Sequence, residues 1–267
     1  MTFRYFFVLR LGNHQILHYY IEMNGLLRTN PMLRSILIST FFFACHAFGA
    51  SIIVVQPISV CNDAGGDCSN SAGQYFEAET DKIWNQADID ISFLPLTEFH
   101  NSSFQSINSN TDFVSLVNTP GHGQHATSTV LNMWFLKEID SGTVSGLGFL
   151  GANGVAIADS IFTFADGAGR RDTIAHEIGH NLNLDHTNES NLRLMAPGSL
   201  RLKPTNTLNI FPDGVGVSQL TAAEIATAQS SPLVVPVPEP ASYAALALIG
   251  CLLVVVRRRF QGVAISM

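Results

Sequence analysis

Thr173 to His186 reads TIAHEIGHNLNLDH and concentrates the residue types that handle metals and protons. His176 and His180 would sit one turn apart on one face of a helix, where two imidazoles converge on a single ion. Glu177 lies beside them, close enough to exchange a proton with a water at that ion. His186 can join them only if the helix stops and the chain turns back. Asn183 stands where that turn must fall, and Asn is second only to Gly in tolerating the left-handed conformation that ends helices. Three neutral imidazoles leave one position of a tetrahedral Zn²⁺ open, so the chemistry implied is hydrolysis, with Glu177 taking a proton from water and passing it to the leaving group. Gly179 costs up to ~1 kcal/mol of helix propensity relative to Ala, which close packing behind the ligands would offset.

The pattern H-E-x-x-H-x-x-N-x-x-H resembles the zinc signature of the metzincin metallopeptidases, H-E-x-x-H-x-x-G-x-x-H followed by a turn carrying Met. Asn183 takes the Gly position, and Met195 in Leu194-Met195-Ala196-Pro197-Gly198 fits the Met turn, nine residues after His186. The resemblance implies an α+β domain: a twisted, mostly parallel sheet with an antiparallel edge strand, a zinc-binding helix and a C-terminal helix. It implies an endopeptidase with one catalytic Zn²⁺ on His176, His180 and His186, Glu177 as general base, Met195 as an apolar floor under the ligands, and a protein or peptide substrate. By the same resemblance Leu147, Gly148, Phe149 and Leu150 form the edge strand that pairs with an extended peptide. Some members add a Tyr ligand after the Met; Ala196-Pro197 stand there, so three protein ligands are expected. Two rivals remain. One is a non-catalytic envelope or matrix protein stabilised by zinc, which would have no need of Glu177. The other is a peptidase whose third ligand is Glu189 or Glu224, against which His186 stands at the metzincin spacing.

These groups need elements to hold them. Ser51 to Val60 is β-branched and apolar, hence a strand. Ser71 to Ala87 places Tyr75, Phe76, Ile83 and Trp84 near helical spacing, and Ile89 to Leu96 alternates as a strand does. Thr97 to Thr111 is polar and reads as loop, and Val114 to Val117 is too short to assign. Val130 to Glu138 is a strong strand; Gly146 to Leu150 and Val155 to Ser160 read as two strands joined by a Gly-rich turn. Asp166 to Gly169 is a turn, and Asp172 or Thr173 can cap the metal-binding helix. Thr221 to Glu224 forms a capping box for a last helix ending near Gln229, and linker follows from Pro232.

Both ends read as addressing. Arg28 and Arg34, the apolar run Ser35 to Ala44 and the small residues Ala47, Gly49 and Ala50 have the pattern of a secretory signal, with Met23 and Met32 as alternative starts. Val235-Pro236-Val237-Pro238-Glu239-Pro240, the apolar Ala241 to Val256 and Arg257-Arg258-Arg259 resemble the PEP-CTERM sorting tail of Gram-negative bacteria. That resemblance implies cutting near Pro238, Glu239 and Pro240 by an exosortase, a transient membrane helix, and delivery to the envelope, surface or matrix, with signal peptidase acting at the other end. The organisation expected is therefore signal region over 1–50, catalytic domain over 51–231, and linker and tail over 232–267.

The segment 51–231 carries seven Lys and Arg against nineteen Asp and Glu, a net charge of −12, which repels nucleic acid and excludes it as a partner. Cys61 and Cys68 close a short loop and, in an oxidising compartment, form a disulfide. His122 and His125 could hold a second metal, and Asp159, Asp166 and Asp213 could serve calcium, though no calcium-loop pattern surrounds them. Asp185, beside His186, is a candidate outer partner of that ligand.

Overall fold

The structure, a computed structural model, describes the backbone of Arg4–Leu11 and Gln15–Glu22 and the whole of residues 51–237. Arg4–Leu11 (β1) and Gln15–Glu22 (β2) pair as an antiparallel hairpin. The apolar run of the signal reading and the tail with Pro238, Glu239 and Pro240 lie outside the described residues. Among the described residues no helix is long and apolar enough to cross a membrane.

Residues Ala50–Val237 form one unit, a mostly parallel sheet with helices on its faces. Its centre is β3 (Ser51–Cys61), whose side chains alternate between two cores. Ile53 and Val55 enter one core, and Ile58 and Val60 the other, so the strand is apolar on both faces. Pro57 lies within it and explains the break in pairing on one side. Its missing N–H would face the neighbour that Val55 bonds through Leu94, so no strand can pair there. The expected strand Ile89 to Leu96 accordingly ends early, as β4 (Ile89–Phe93). The Gln56 side chain fills the gap, donating to Pro95 O and Thr97 Oγ1 at 3.0 and 3.3 Å. Pairing then resumes as β5 (Thr97–His100), parallel to the second half of β3, where the polar composition suggested loop.

β5 is followed by β6 (Ser106–Ile107), and Asn110–Asn118 forms a helix, α2, which also holds the unassigned Val114 to Val117. Ser109 caps it by accepting from Asp112 N, a signal hidden in the polar run. The earlier helix, α1 (Glu77–Trp84), is shorter than Ser71 to Ala87 would suggest. Asn70 holds the Gln74 backbone through both N–H and C=O, and Phe76 sits at φ 48°, so local side-chain bonds displace the first turns.

On the other side of β3 lies β7 (Val130–Leu136), then β10 (Val155–Ala158), both parallel. β8 (Glu138–Ile139) leaves the main sheet to pair with β6. The edge is β9 (Gly146–Gly148), antiparallel to β10. One face of the sheet is covered by α1 and by α4 (Thr173–Asn181), with α3 (Ser160–Gly167) between β10 and α4 in sequence. α3 leaves helical geometry at Phe164 to Asp166, starting two residues before the turn expected over Asp166 to Gly169, and its first turn was not foreseen. α2 packs Phe113 and Leu116 on the opposite face, against Trp134 and Leu136. The last helix, α5 (Ala222–Gln229), starts with Thr221 and Glu224 bonded to each other's backbone N–H. Beyond it, where linker was expected, Leu233 is buried and β11 (Val235–Pro236) pairs with Ile52 and Ser51. Cys61 and Cys68 are joined by a disulfide.

Candidate metal centre

The core packs one side of α4 through Ile174, Ala175 and Ile178, which leaves His176, Glu177 and His180 to line a cleft of about 630 Å³. The helix stops after Asn181. Asn183 takes φ 67°, its N–H reaches His180 O, and Leu184 N–H reaches Gly179 O, both at 2.9 Å. This paired-bond stop reverses the chain and satisfies two carbonyls that a helix end leaves open. His186 is thereby carried back over the helix, its Nε2 3.2 Å from that of His176. One nitrogen from each of the three imidazoles lies within 4.8 Å of the other two. Tetrahedral zinc with bonds of about 2.0–2.1 Å separates its donors by roughly 3.3 Å, so the first pair is already at ligand spacing.

The rings are oriented from behind. His176 Nδ1 is 2.7 Å from Leu194 O, and His180 Nδ1 is 2.8 Å from Leu184 O. With Nδ1–H donating to these carbonyls, the Nε2 lone pairs face the common point. Burial holds both imidazoles below their ordinary pKa, His176 well below it, with the Arg201 charge as a further cause at His176. They are therefore neutral at pH 7, the form that binds metal. His186 is exposed, and its backbone N–H is taken by Asp185 Oδ1. Asp185 thus braces the turn rather than the His186 ring.

Glu177 is buried, which pushes its carboxyl up to about 7, against the pull of Arg201 and Arg170. A divalent cation at the imidazoles would draw it down again. Space for this carboxylate comes from β9: a Cβ on Gly146 would lie 2.7 Å from Glu177 Cγ, and one on Gly148 2.5 Å from Glu177 O. On the far side of α4, a Cβ on Gly179 would lie 2.5 Å from Met195 Sδ, so Gly179 is what lets the fully buried Met195 lie against the helix backbone under the ligands.

Leu147 and Phe149 turn to the opposite face of the sheet, where Phe149 stacks on Phe113, and Leu150 is exposed at the cleft. Ala158 N–H donates to Ser145 O and Phe149 N–H to Gly154 O. In an antiparallel ladder the intervening Gly146 and Gly148 must then point their N–H and C=O out of the sheet, into the cleft. Asn181, buried at the end of α4, locks this hairpin to the helix by donating to Phe149 O, Ala152 O and Gly154 O.

Other candidates are not gathered into sites. His122 is packed against Phe99 and Phe104 and bonds Leu116 O, while His125 accepts from Thr127 N–H. Asp159 faces Lys137 and Asn70 N–H, and Asp213 pairs with Lys82. Glu189 is turned to Arg193, and Glu224 caps α5.

The pairing of Asp172 with Arg201 had no sequence signal. Asp172 stands at the N-cap of α4 but caps nothing with its side chain; its carboxylate accepts instead from Arg201 Nε at 2.7 Å. Both are essentially withdrawn from solvent, at 0% and 3% exposure, and a guanidinium there is a stronger partner than a backbone N–H. Arg201 Nη1 also donates to Ala196 O and lies 2.6 Å from His176 Nδ1. A bond accepted by Nδ1 would put the ring proton on Nε2, so only the tautomer that donates to Leu194 O leaves His176 able to bind metal. The pair thus pins the Met turn against the helix start. Asp172→Ala should destabilise the protein by about 3–5 kcal/mol, because it strands a buried cation. Asp172→Leu combined with Arg201→Met should recover much of that loss. Denaturant unfolding of the metal-free proteins checks both, and a loss below ~1 kcal/mol for Asp172→Ala would mean that water reaches the pair.

No protein-family model matches this chain, and no curated protein matches it. Among solved structures it is similar to archaemetzincin from Methanopyrus kandleri, at TM-score 0.43 and 9% identity over 67% of this chain and 94% of that one. It is also similar to archaemetzincin from Archaeoglobus fulgidus, complexed with malonate, at TM-score 0.34 and 21% identity over 54% and 85%. Metalloproteinase-II from Bacteroides fragilis gives TM-score 0.38 and 12% identity over 68% and 53%. Likenesses of this size carry no argument about activity, which rests on the side chains at the cleft.

Proposed function

We propose that this protein is an exported, zinc-dependent endopeptidase. The observation that carries the reading is the convergence of His176, His180 and His186, one nitrogen of each within 4.8 Å of the other two, with two rings set by backbone carbonyls and Glu177 buried beside them. A site kept only for stability would not call for a desolvated carboxylate next to its open side, which is the support against a non-catalytic matrix protein. When bound, zinc would supply an acidified water and polarise a carbonyl. Glu177 accepts a proton from the attacking water and returns it to the leaving amine. Gly146 and Gly148 offer main-chain groups that hold an extended peptide along the sheet edge. Met195 and Gly179 keep the helix seated while the ligands bear on it. The Cys61–Cys68 disulfide supports export, since such bonds persist in oxidising compartments; intact mass of the protein recovered from the cell surface tests that part.

The experiment is digestion of a mixed peptide library by the purified protein before and after chelation. Cleavage at internal bonds should vanish with the metal and return when Zn²⁺ is restored. Cleavage that survives complete metal removal would sink the proposal.

Edge pairing has its own test. Proline at 148 would collide with the α4 backbone, and at 149 it would cut the Gly154 bond, so variants of the strand confuse binding with folding. N-methylation of the substrate avoids this. Methyl groups on alternate peptide nitrogens near the scissile bond should lower kcat/KM by about fivefold in one register and little in the other, since one neutral hydrogen bond contributes about 1 kcal/mol. Equal effects in both registers would show that the peptide does not pair with β9.

A further inference from the structure

Arg170, in the turn that leads into α4, is a cation that makes no ion pair among the described residues. Five of the seven Lys and Arg between residues 51 and 231 have a carboxylate partner: Lys82, Lys137, Arg171, Arg193 and Arg201. Among the described residues Arg170 and Lys203 have none, although the segment holds nineteen acids. Arg170 is nevertheless held firmly. Its Nη1 donates to Ser145 Oγ at 2.6 Å, and the Phe164 ring lies 5.6 Å from its guanidinium carbon. Nη2 lies against Gly198, where a Cβ would come within 3.3 Å of it, while Nε is buried without a partner. Ser145 precedes the edge strand and Gly198 follows the Met turn, so both walls of the cleft fix this guanidinium. It lines the same cleft as Glu177 and the imidazoles, near enough to Glu177 for each charge to act on the other. Arg201, its cationic neighbour, is already matched by Asp172. A fixed guanidinium fork with spare donors beside a reacting centre is suited to a carboxylate.

We propose that Arg170 is a specificity-determining residue, whose guanidinium binds a carboxylate of the substrate close to the scissile bond. This rests on the peptidase reading above and adds a substrate class to it: peptides with an acidic side chain, or a free C-terminus, within two residues of the cleaved bond. A neutral isostere in that place leaves the partly desolvated cation unmatched, and sites built around a polar partner reject analogues that lack it.

The zinc-loaded full chain is given two peptide series. In one, amidated peptides differ by Glu or Gln at each of two positions on either side of the scissile bond. In the other, neutral peptides end one or two residues beyond it, with the C-terminus free or amidated. At one position in one series the charged member should be preferred in kcat/KM by about tenfold or more, and the series in which this happens identifies the source of the carboxylate. The preference should fall as salt is raised. In Arg170→Gln the ratio should approach unity, and in Arg170→Glu it should invert in favour of the neutral member. A parent enzyme that cleaves neutral and charged members alike overturns the proposal whatever the variants do. Arg170→Gln that loses both members equally, with the ratio intact, also overturns it, since the residue would then act in folding or chemistry and not in selection. Failure to cleave any peptide removes the peptidase reading, and this inference with it.

Discussion

Glu177→Ala should retain zinc and fold while peptide hydrolysis falls by at least ~10²-fold, the scale on which a positioned acid–base group acts. The geometry makes this variant clean. The carboxylate fills space left by Gly146, accepts no hydrogen bond from the described residues, and is not one of the three convergent ligand groups. Removing a desolvated carboxyl should leave the metal-free protein no less stable near neutral pH. Glu177→Gln should be as inactive, because an amide keeps the shape and cannot take the proton. Zinc content by atomic absorption, thermal unfolding and kcat/KM on one peptide decide the matter together. A variant that holds zinc and cleaves at the parent rate would remove Glu177 from the chemistry.

His186→Ala should weaken zinc binding by more than ~10²-fold. Loss of an outer partner alone typically costs 10–100-fold, and a ligand is worth more than its support. His186 is the most informative of the three, because it comes from the returning loop and not from the helix. His176 and His180 keep their carbonyl partners when it is removed, so the defect should be confined to affinity. Glu189→Ala and Glu224→Ala should leave affinity unchanged, since Glu189 faces Arg193 and Glu224 caps α5. Glu224→Ala should instead lose about 1 kcal/mol of stability with its capping box. Competition with a chromogenic chelator measures each affinity. Tight binding in His186→Ala with loss in either Glu variant would transfer the third ligand to that Glu.

The convergence of the three imidazoles was legible from sequence because its geometry is local. Helical spacing places His176 and His180 together, and the turn that returns His186 is built from bonds spanning a few residues around Asn183. The capping box at Thr221 and the apolar strand from Ser51 were readable for the same reason. Local competition was harder to see. Ser71 to Phe76 carries a helical pattern, but the Asn70 side chain bonds the backbone of Gln74 and takes those turns away. Asp172 looks like a cap until Arg201, twenty-nine residues on, comes within reach.

What the sequence determined by itself is the set of groups proposed to bind a metal and move a proton, and the local turn that lets the imidazoles meet. Only the tertiary structure decided what surrounds them. It made Thr97–His100 a strand, because the length of β3 beyond Pro57 offers unpaired backbone that polar residues can satisfy as well as apolar ones. It set β9 so close to α4 that Gly146 and Gly148 are required, and it turned their peptide groups toward the cleft. It buried Asp172 with Arg201 and left Arg170 lining the cleft without an ion-pair partner among the described residues. The reason is one of range. Spacing along a helix or turn is fixed by backbone geometry over a few residues, whereas burial and charge pairing depend on which distant segments pack together, and no short pattern records that.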